Sequence, residues 1–360
     1  MEVVILKIIL LNSGEKNKMN ASRSQNMDFL RIVAMWMILT MHFFGWGGAV
    51  NSLSASSINY YWVMPVYFLC QIGNSLFFLL SGYFLSTAKL KKGLFLERKA
   101  AFYSFSIALI SLIFVEGGIE QLVKSAFPVI FHRYWFLSVY LVVYFLSYVL
   151  VPGLNNCSQN HMMVVLLALL INNTFVNEAQ YTMMEALACY VAGYYIRKFE
   201  PFESVKLSIR VLLYVGSFLL YCVERVIVLK TGLEHSVLDE RLRYIIVFIS
   251  AVFFFSIFIG RKIGFKWPSK ISSNVFAVYL ITANPSLTQL IYVRLLHIEQ
   301  LANKYYFFGY YVCVNILFFA ISVAIDKVVT KINNYEVRIW DKIIFTKIRR
   351  LLKVQGGDNL

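Results

Sequence analysis

Charge is what this sequence has least of for its length. Only 15% of its 360 residues are Asp, Glu, Lys or Arg, where soluble domains carry about 25%. The residues there are instead lean heavily apolar: Ala, Val, Ile, Leu, Met, Phe, Trp, Tyr and Cys make up 59%. The few charges are bunched between long apolar runs, which excludes a soluble enzyme and a disordered chain alike. Paired cysteine spacing is missing as well. Cys70, Cys157, Cys189, Cys222 and Cys313 are scattered, so neither a disulfide framework nor a zinc site is suggested, and they read as small hydrophobes. There is no phosphate-binding glycine loop, no GxSxG elbow, no HExxH and no pair of carboxylates at helical spacing within one apolar run. What remains is an all-α, polytopic integral membrane protein.

Apolar runs bounded by charge clusters or polar breaks predict ten membrane helices, near 28–46, 61–86, 101–118, 134–151, 162–175, 181–196, 208–229, 244–260, 273–292 and 305–325. The fifth and sixth are short and leave open a tilted or re-entrant hairpin. Short basic loops stay in the cytoplasm. With the N-terminus inside, 25 of the 34 Lys and Arg fall in cytoplasmic segments and seven in external ones, which predicts that both termini are cytoplasmic. The net charge of +15 is then mostly topology, and no nucleic-acid partner is implied.

Three regions follow. Residues 1–27 form a cytoplasmic N-terminal segment, of which 1–18 read as a mis-called start, because translation from Met19 leaves MNASRSQN directly before the first run. Residues 28–325 form the membrane domain. Residues 326–360 are a basic tail in which Trp340, Ile344, Ile348, Leu351 and Leu352 share a helical stripe opposite Arg338, Lys342, Arg349 and Lys353, a pattern suited to the anionic inner leaflet.

Polar groups inside membrane spans are costly and so mark candidate sites. The first run, MDFLRIVAMWMILTMHFFGWGG, has Asp28 and Arg31 at its inner end and His42 near its outer end. Arg31 and His42 are eleven residues apart, which brings them within about 20° of one face and separates them by about 16 Å of rise. A cation at one end and an imidazole at the other could anchor a long, thin substrate such as a coenzyme A phosphate head joined to its pantetheine arm. Spacing alone leaves open the alternative that Arg31 snorkels to headgroups and His42 bonds a neighbouring helix. Ser81 and Gly82 are expected to break the second run, as a packing contact or kink before a nucleophile. Trp135 reads either as an interfacial anchor or as a wall of an acceptor site, and Glu185 either pairs elsewhere or lines an external vestibule.

The Arg-x10-His spacing resembles the start of the membrane acyltransferase-3 family. SLFFLLSGYFL (75–85) resembles that family's Ser-Gly-Tyr signature, YWFLSVYLVVYFLSYVLVPGLN (134–155) its Trp-Phe-Leu span, VAGYYIRK (191–198) its Gly-Tyr-Tyr span end, and SSNVFAVYLITANP (272–285) its late Tyr-Leu segment. The resemblance implies about ten spans, a location in a bacterial cell membrane, and O-acylation of cell-envelope polysaccharide. It implies acyl-CoA, most simply acetyl-CoA, as donor substrate rather than bound cofactor, with membrane lipids and a polysaccharide or lipid-linked glycan as partners. It assigns His42 as catalytic base and Arg31, Arg98 and Lys99 as donor-binding cations. Asp28, Ser81, Gly82, Trp135 and Glu185 are supporting candidates. Two positions depart from the family pattern: Ala101 stands where a second Arg of an Arg-x-x-Arg pair is common, and Thr282 where a His is common.

A histidine base suits this chemistry, because removing the proton of a sugar hydroxyl in the transition state is worth about 10² to 10⁴ in rate. No Ser or Cys has an obvious base beside it, so direct transfer without a covalent enzyme intermediate is the simpler route. A transporter or flippase is the alternative, with Arg31 and His42 along a translocation path. Such folds pair broken helices between repeats, and the sequence predicts only one broken run, the second. A non-catalytic partner in glycan assembly is a third reading.

Overall fold

A computed structural model describes residues 25–84, 87–114, 118–175, 178–232, 237–261 and 264–354. The proposed early start at 1–18 lies outside the described residues. Among those described there are helices and no strands. Helix α1 is Gln25–Met41 and continues as a π-turn over His42–Trp46. Next come α2 (Tyr60–Cys70), α3 (Gly73–Phe84), α4 (Leu90–Ser111), α5 (Ile119–Ala126) and α6 (Trp135–Asn156). They are followed by α7 (Gln159–Phe175), α8 (Glu178–Phe199), α9 (Leu207–Thr231) and α10 (Val237–Ile257). Last are α11 (Phe276–Thr282), α12 (Pro285–Thr288, running into a π-helix at Gln289–Leu295) and α13 (Phe307–Val354).

Each of the ten apolar runs meets a helix. Five segments are long and apolar enough to cross a membrane by themselves: Gln25–Trp46, Tyr60–Phe84, Trp135–Asn156, Leu207–Val228 and Phe307–Ile332. A sixth is reached if the bent pair Phe276–Thr282 and Pro285–Leu301 is one span. The third run is displaced. Instead of beginning near 101, α4 begins at Leu90 and takes in the basic cluster, because Lys, Leu, Glu, Arg and Ala are strong helix formers and outweigh the single Gly93 near its start.

The breaks also differ from expectation. The second run is interrupted at Gln71–Ile72, not at Ser81–Gly82. Ser81 stays helical with its hydroxyl donated back to the Phe77 carbonyl at 2.9 Å, and Gly82 is a contact point. A Cβ on Gly82 would lie 1.9 Å from the Tyr190 carbonyl oxygen, and one on Gly193 would lie 2.1 Å from that of Leu79. The paired glycines therefore let the α3 and α8 backbones touch, which is how apolar helices gain packing energy when no hydrophobic force separates them from lipid. The ninth run is broken too, by 62° between α11 and α12. Pro285 supplies no N–H and pushes Asn284 to extended backbone, while the Asn284 side chain accepts from the Ser286 amide.

Helices α1, α3, α6, α8 and α11 share the main core. A second, aromatic cluster of Phe43, Phe44, Tyr292, Phe307 and Tyr311 packs around the π-turn. Gly48 lets the chain leave that turn, with φ +78°. Helix α13 runs unbroken for 48 residues, about 72 Å at 1.5 Å per residue, so the membrane domain and the basic tail are joined by continuous helix through residue 326. The side chains of the tail's proposed stripe lie outside the described residues.

Candidate active site

The first turn of α1 places a buried carboxylate. Asp28 accepts from Arg31 Nη1 and from Ser272 Oγ, each at 2.8 Å, and its side chain is fully enclosed. Arg31 is thereby oriented rather than neutralised in the open: its side chain keeps 29% of its surface exposed and its guanidinium lies 5.3 Å from the centre of the Phe84 ring. These groups form one side of a cavity of about 460 Å³. Lys92 of α4 stands at the same cavity, with Ser81, Ser272 and Ser273 as further polar lining, and Phe136, Tyr140 and Phe276 as aromatic wall. Desolvation first, then repulsion from Arg31 and Lys89, holds the Lys92 ammonium below the usual lysine range. Lys92 is nevertheless solvent-exposed, so water screens much of that repulsion. Two cations and three hydroxyls in an aromatic-lined cavity fit an anionic head with an apolar arm.

His42 lies beyond this cavity. Val275, just before α11, and Phe276, its first residue, line the cavity, Tyr279 is the next layer, and Thr282 meets His42. The Tyr279 ring sits 5.5 Å from Phe136 and 6.2 Å from His42, so one aromatic layer divides cavity from imidazole. Its hydroxyl is buried without a hydrogen-bond partner among the described residues. His42 is 8% exposed, and its ring stacks on Trp46 at 4.0 Å and 10° with Nδ1 3.1 Å from Thr282 Oγ1. The π-turn makes this stack, by widening the helix at the point where the imidazole and indole overlap; such turns recur at functional sites.

The remaining expected residues are dispersed. Lys99 does not line the cavity: its ammonium is 2.7 Å from Asp326 Oδ1 and buried with it. Asp326 also accepts from Tyr103 (2.9 Å) and Asn274 (2.8 Å), so the carboxylate is saturated and ties α4, α13 and the 272–276 segment together. Arg98 is exposed and outside the cavity lining. Glu185 accepts from Ser75 at 2.7 Å, a polar link between α8 and α3. Trp135 opens α6, half-buried and edge-on to Phe136 at 6.0 Å. Gly82 serves the α3–α8 contact.

A family model described as the acyltransferase domain matches residues 24–327, from the start of α1 to just past Asp326. The chain belongs to the acyltransferase-3 family. No curated protein and no solved structure matches it. As an acyltransferase of this family, the protein is a membrane enzyme that moves acyl groups. Sequence reasoning missed Lys92, Tyr279 and Asp326. Lys92 and Lys99 lie two turns apart on one stripe of α4, and periodicity cannot choose between levels of the same stripe. Asp326 was legible as an acid at the end of an apolar run, but its partners are distant in sequence.

Proposed function

We propose that the protein is a membrane O-acyltransferase that takes an acyl group, most simply acetyl, from cytoplasmic acyl-CoA and gives it to a sugar hydroxyl of an envelope polysaccharide or its lipid-linked precursor. The observation that carries this reading is the layout along α1: Arg31 at a cavity with Lys92 beside it, then Tyr279, then His42. The donor phosphates meet Arg31 and Lys92, the pantetheine arm runs along Phe136 and Phe276, and the thioester reaches His42 past Tyr279. Lys92 takes the donor role that the resemblance gives to Lys99, because Lys99 is committed to Asp326. His42 accepts the proton of the attacking hydroxyl, which makes a poor nucleophile adequate.

The transporter alternative requires a different judgement than the sequence allows. The second run has a short interruption at Gln71–Ile72 but still passes as one span, while the sharp 62° bend is in the ninth, at Ala283–Asn284. In the ten-run order these are the second and ninth, whereas two repeats of five would pair the second with the seventh. Acyl transfer, which the family membership supports, is retained.

The topology proposed with it is ten crossings with both ends inside. Labelling of single cysteines near Ser54 from outside and near Lys91 from inside supports it; labelling of the Lys91 loop from outside overturns it. The reaction is tested by giving the purified protein isotope-labelled acetyl-CoA and following both hydrolysis and transfer, with mass spectrometry of surface polysaccharide from cells with and without the gene. Absence of a lost ester and of any acyl-CoA turnover would sink the reading.

A further inference from the structure

The Thr282 hydroxyl makes two hydrogen-bond contacts, and the buried Tyr292 hydroxyl also stands close to it. One is the Val278 carbonyl oxygen, one helical turn back, at 2.7 Å. The other is His42 Nδ1 at 3.1 Å. A hydroxyl has one proton, and a carbonyl oxygen has none. The 2.7 Å contact is a hydrogen bond only if the threonine proton lies in it, the back-bonded geometry that threonine adopts within helices. Thr282 Oγ1 then faces His42 with a lone pair, so Nδ1 must carry the hydrogen between them. Neutral imidazole has a single N–H, and Nε2 is left with its lone pair.

We infer that Thr282 is a positioning residue that fixes His42 as the Nδ1–H tautomer and presents Nε2 as the proton acceptor. The tautomer rests on geometry alone; its catalytic use rests on the acyl-transfer reading above. Two further features of the ring agree. Nε2 has no hydrogen-bond partner among the described residues, and it is not one of the sealed polar atoms left without one. The Trp46 stack fixes the ring plane, so the Nδ1 bond and the stack together determine where Nε2 points.

In the proposed reaction the acceptor O–H proton moves to Nε2 as its oxygen bonds to the thioester carbonyl carbon. The C–S bond then breaks, and the departing thiolate takes the proton back from Nε2. Throughout, Nδ1–H stays donated to Thr282 Oγ1, whose lone pair stabilises the transient imidazolium. Thr282 touches no reacting atom. It selects which nitrogen can.

The test is ¹⁵N NMR of the full-length protein labelled at histidine and reconstituted in nanodiscs, with the His42 signals assigned by their loss in His42→Gln. Wild type is expected to show the Nδ1–H tautomer, and Thr282→Val, which keeps the shape but removes the acceptor oxygen, a mixture with Nε2–H. With acetyl-CoA as donor, the Val variant is expected to lose about tenfold to a hundredfold in kcat with its donor KM unchanged. Thr282→Ser, which can make both hydrogen bonds, should recover most of that loss and the wild-type spectrum, and so separates a missing hydroxyl from a misfolded variant. An Nε2–H signal in wild type, or an unchanged spectrum in the Val variant, overturns the inference. A changed tautomer with unchanged kcat overturns the positioning role. If wild type transfers nothing, the acyl-transfer reading fails while the spectra still decide the tautomer.

Discussion

The two ends of α1 are built on opposite principles. At one end Asp28, Arg31, Ser272 and, at the same cavity, Lys92 gather charge and hydroxyls where a side chain can still reach solvent. At the other, His42 is enclosed by Trp46, Tyr279 and the aromatic cluster of the π-turn, with one hydroxyl as its polar contact. The contrast shows a division of labour imposed by the medium. Charged recognition is strong where an anion can be matched and water can still complete the shell, whereas a base that must stay neutral until it reacts belongs where an ion is costly.

The largest effect should come from the enclosed end. His42→Ala is expected to insert and fold, since one imidazole adds little to so many packed helices, but to lose transfer by about 10² or more. Donor KM should hardly move. His42→Gln, which keeps a hydrogen-bonding side chain without a usable base, should be equally impaired; turnover close to wild type in that variant would make His42 a structural residue and leave chemistry at the charged end alone.

The charged end should fail in the opposite way. Arg31→Ala is expected to raise donor KM about tenfold or more with a smaller change in kcat, because contacts to a charged group are worth about 1.5–3 kcal/mol. Removing Arg31 also strips a partner from the enclosed Asp28 carboxylate. Arg31→Lys therefore belongs beside it: a Lys restores charge but not the planar fork, and an intermediate KM separates phosphate recognition from loss of the Asp28 pair. A kcat defect as deep as that of His42→Ala, at saturating donor, would erase the division between the ends.

How far this site was legible depended on the range of the interaction. The Arg31–His42 stripe is a property of one helix, and eleven residues of spacing sufficed to see it. The existence of most helices followed from apolar runs for the same reason. What escaped were contacts between segments remote in the chain. Lys99 looked like a donor cation until Asp326, 227 residues away, claimed it. Thr282 looked like a defect in the family pattern, and only its proximity to His42 gives it a part to play. The break at Asn284–Pro285 follows from the proline rule, yet the run stays apolar across it and so reads as one span. The Ser81–Gly82 pair was half legible: the packing contact is there, since another helix touches Gly82, while the break falls at Gln71–Ile72.

That contact holds α3, and with it one wall of the cavity, against α8. Gly82→Ala must displace the Tyr190 carbonyl, and overpacking of this kind costs about 1–3 kcal/mol. Thermal unfolding in detergent should show a clearly lowered midpoint. Gly216→Ala is the matched control, since a Cβ there meets open space, and it should be neutral or slightly stabilising because alanine is the better helix former. Equal loss in both variants would mean that the α3–α8 approach is not a tight one, and the cavity would lose its fixed wall.

The smallest effect is the most selective test of the charged end. Lys92 lies at the cavity with its ammonium 5.9 Å from the centre of the Tyr144 ring, and it is exposed, so a phosphate contact there is screened. Exposed ion pairs are worth about 0.2–1 kcal/mol, which corresponds to a rise in donor KM of roughly 1.4- to 5-fold in Lys92→Ala. Because the Debye length falls from about 10 Å at 0.1 M salt to about 3 Å at 1 M, that rise should largely vanish at high salt. The Arg31 effect should persist there, since Arg31 is held against a fully enclosed carboxylate and less of its field passes through water. Measuring donor KM for both variants at low and high salt therefore ranks the two cations by depth. A Lys92→Ala defect that is absent at low salt would remove Lys92 from the donor site and leave Arg31 as the cation that meets the phosphates at this cavity.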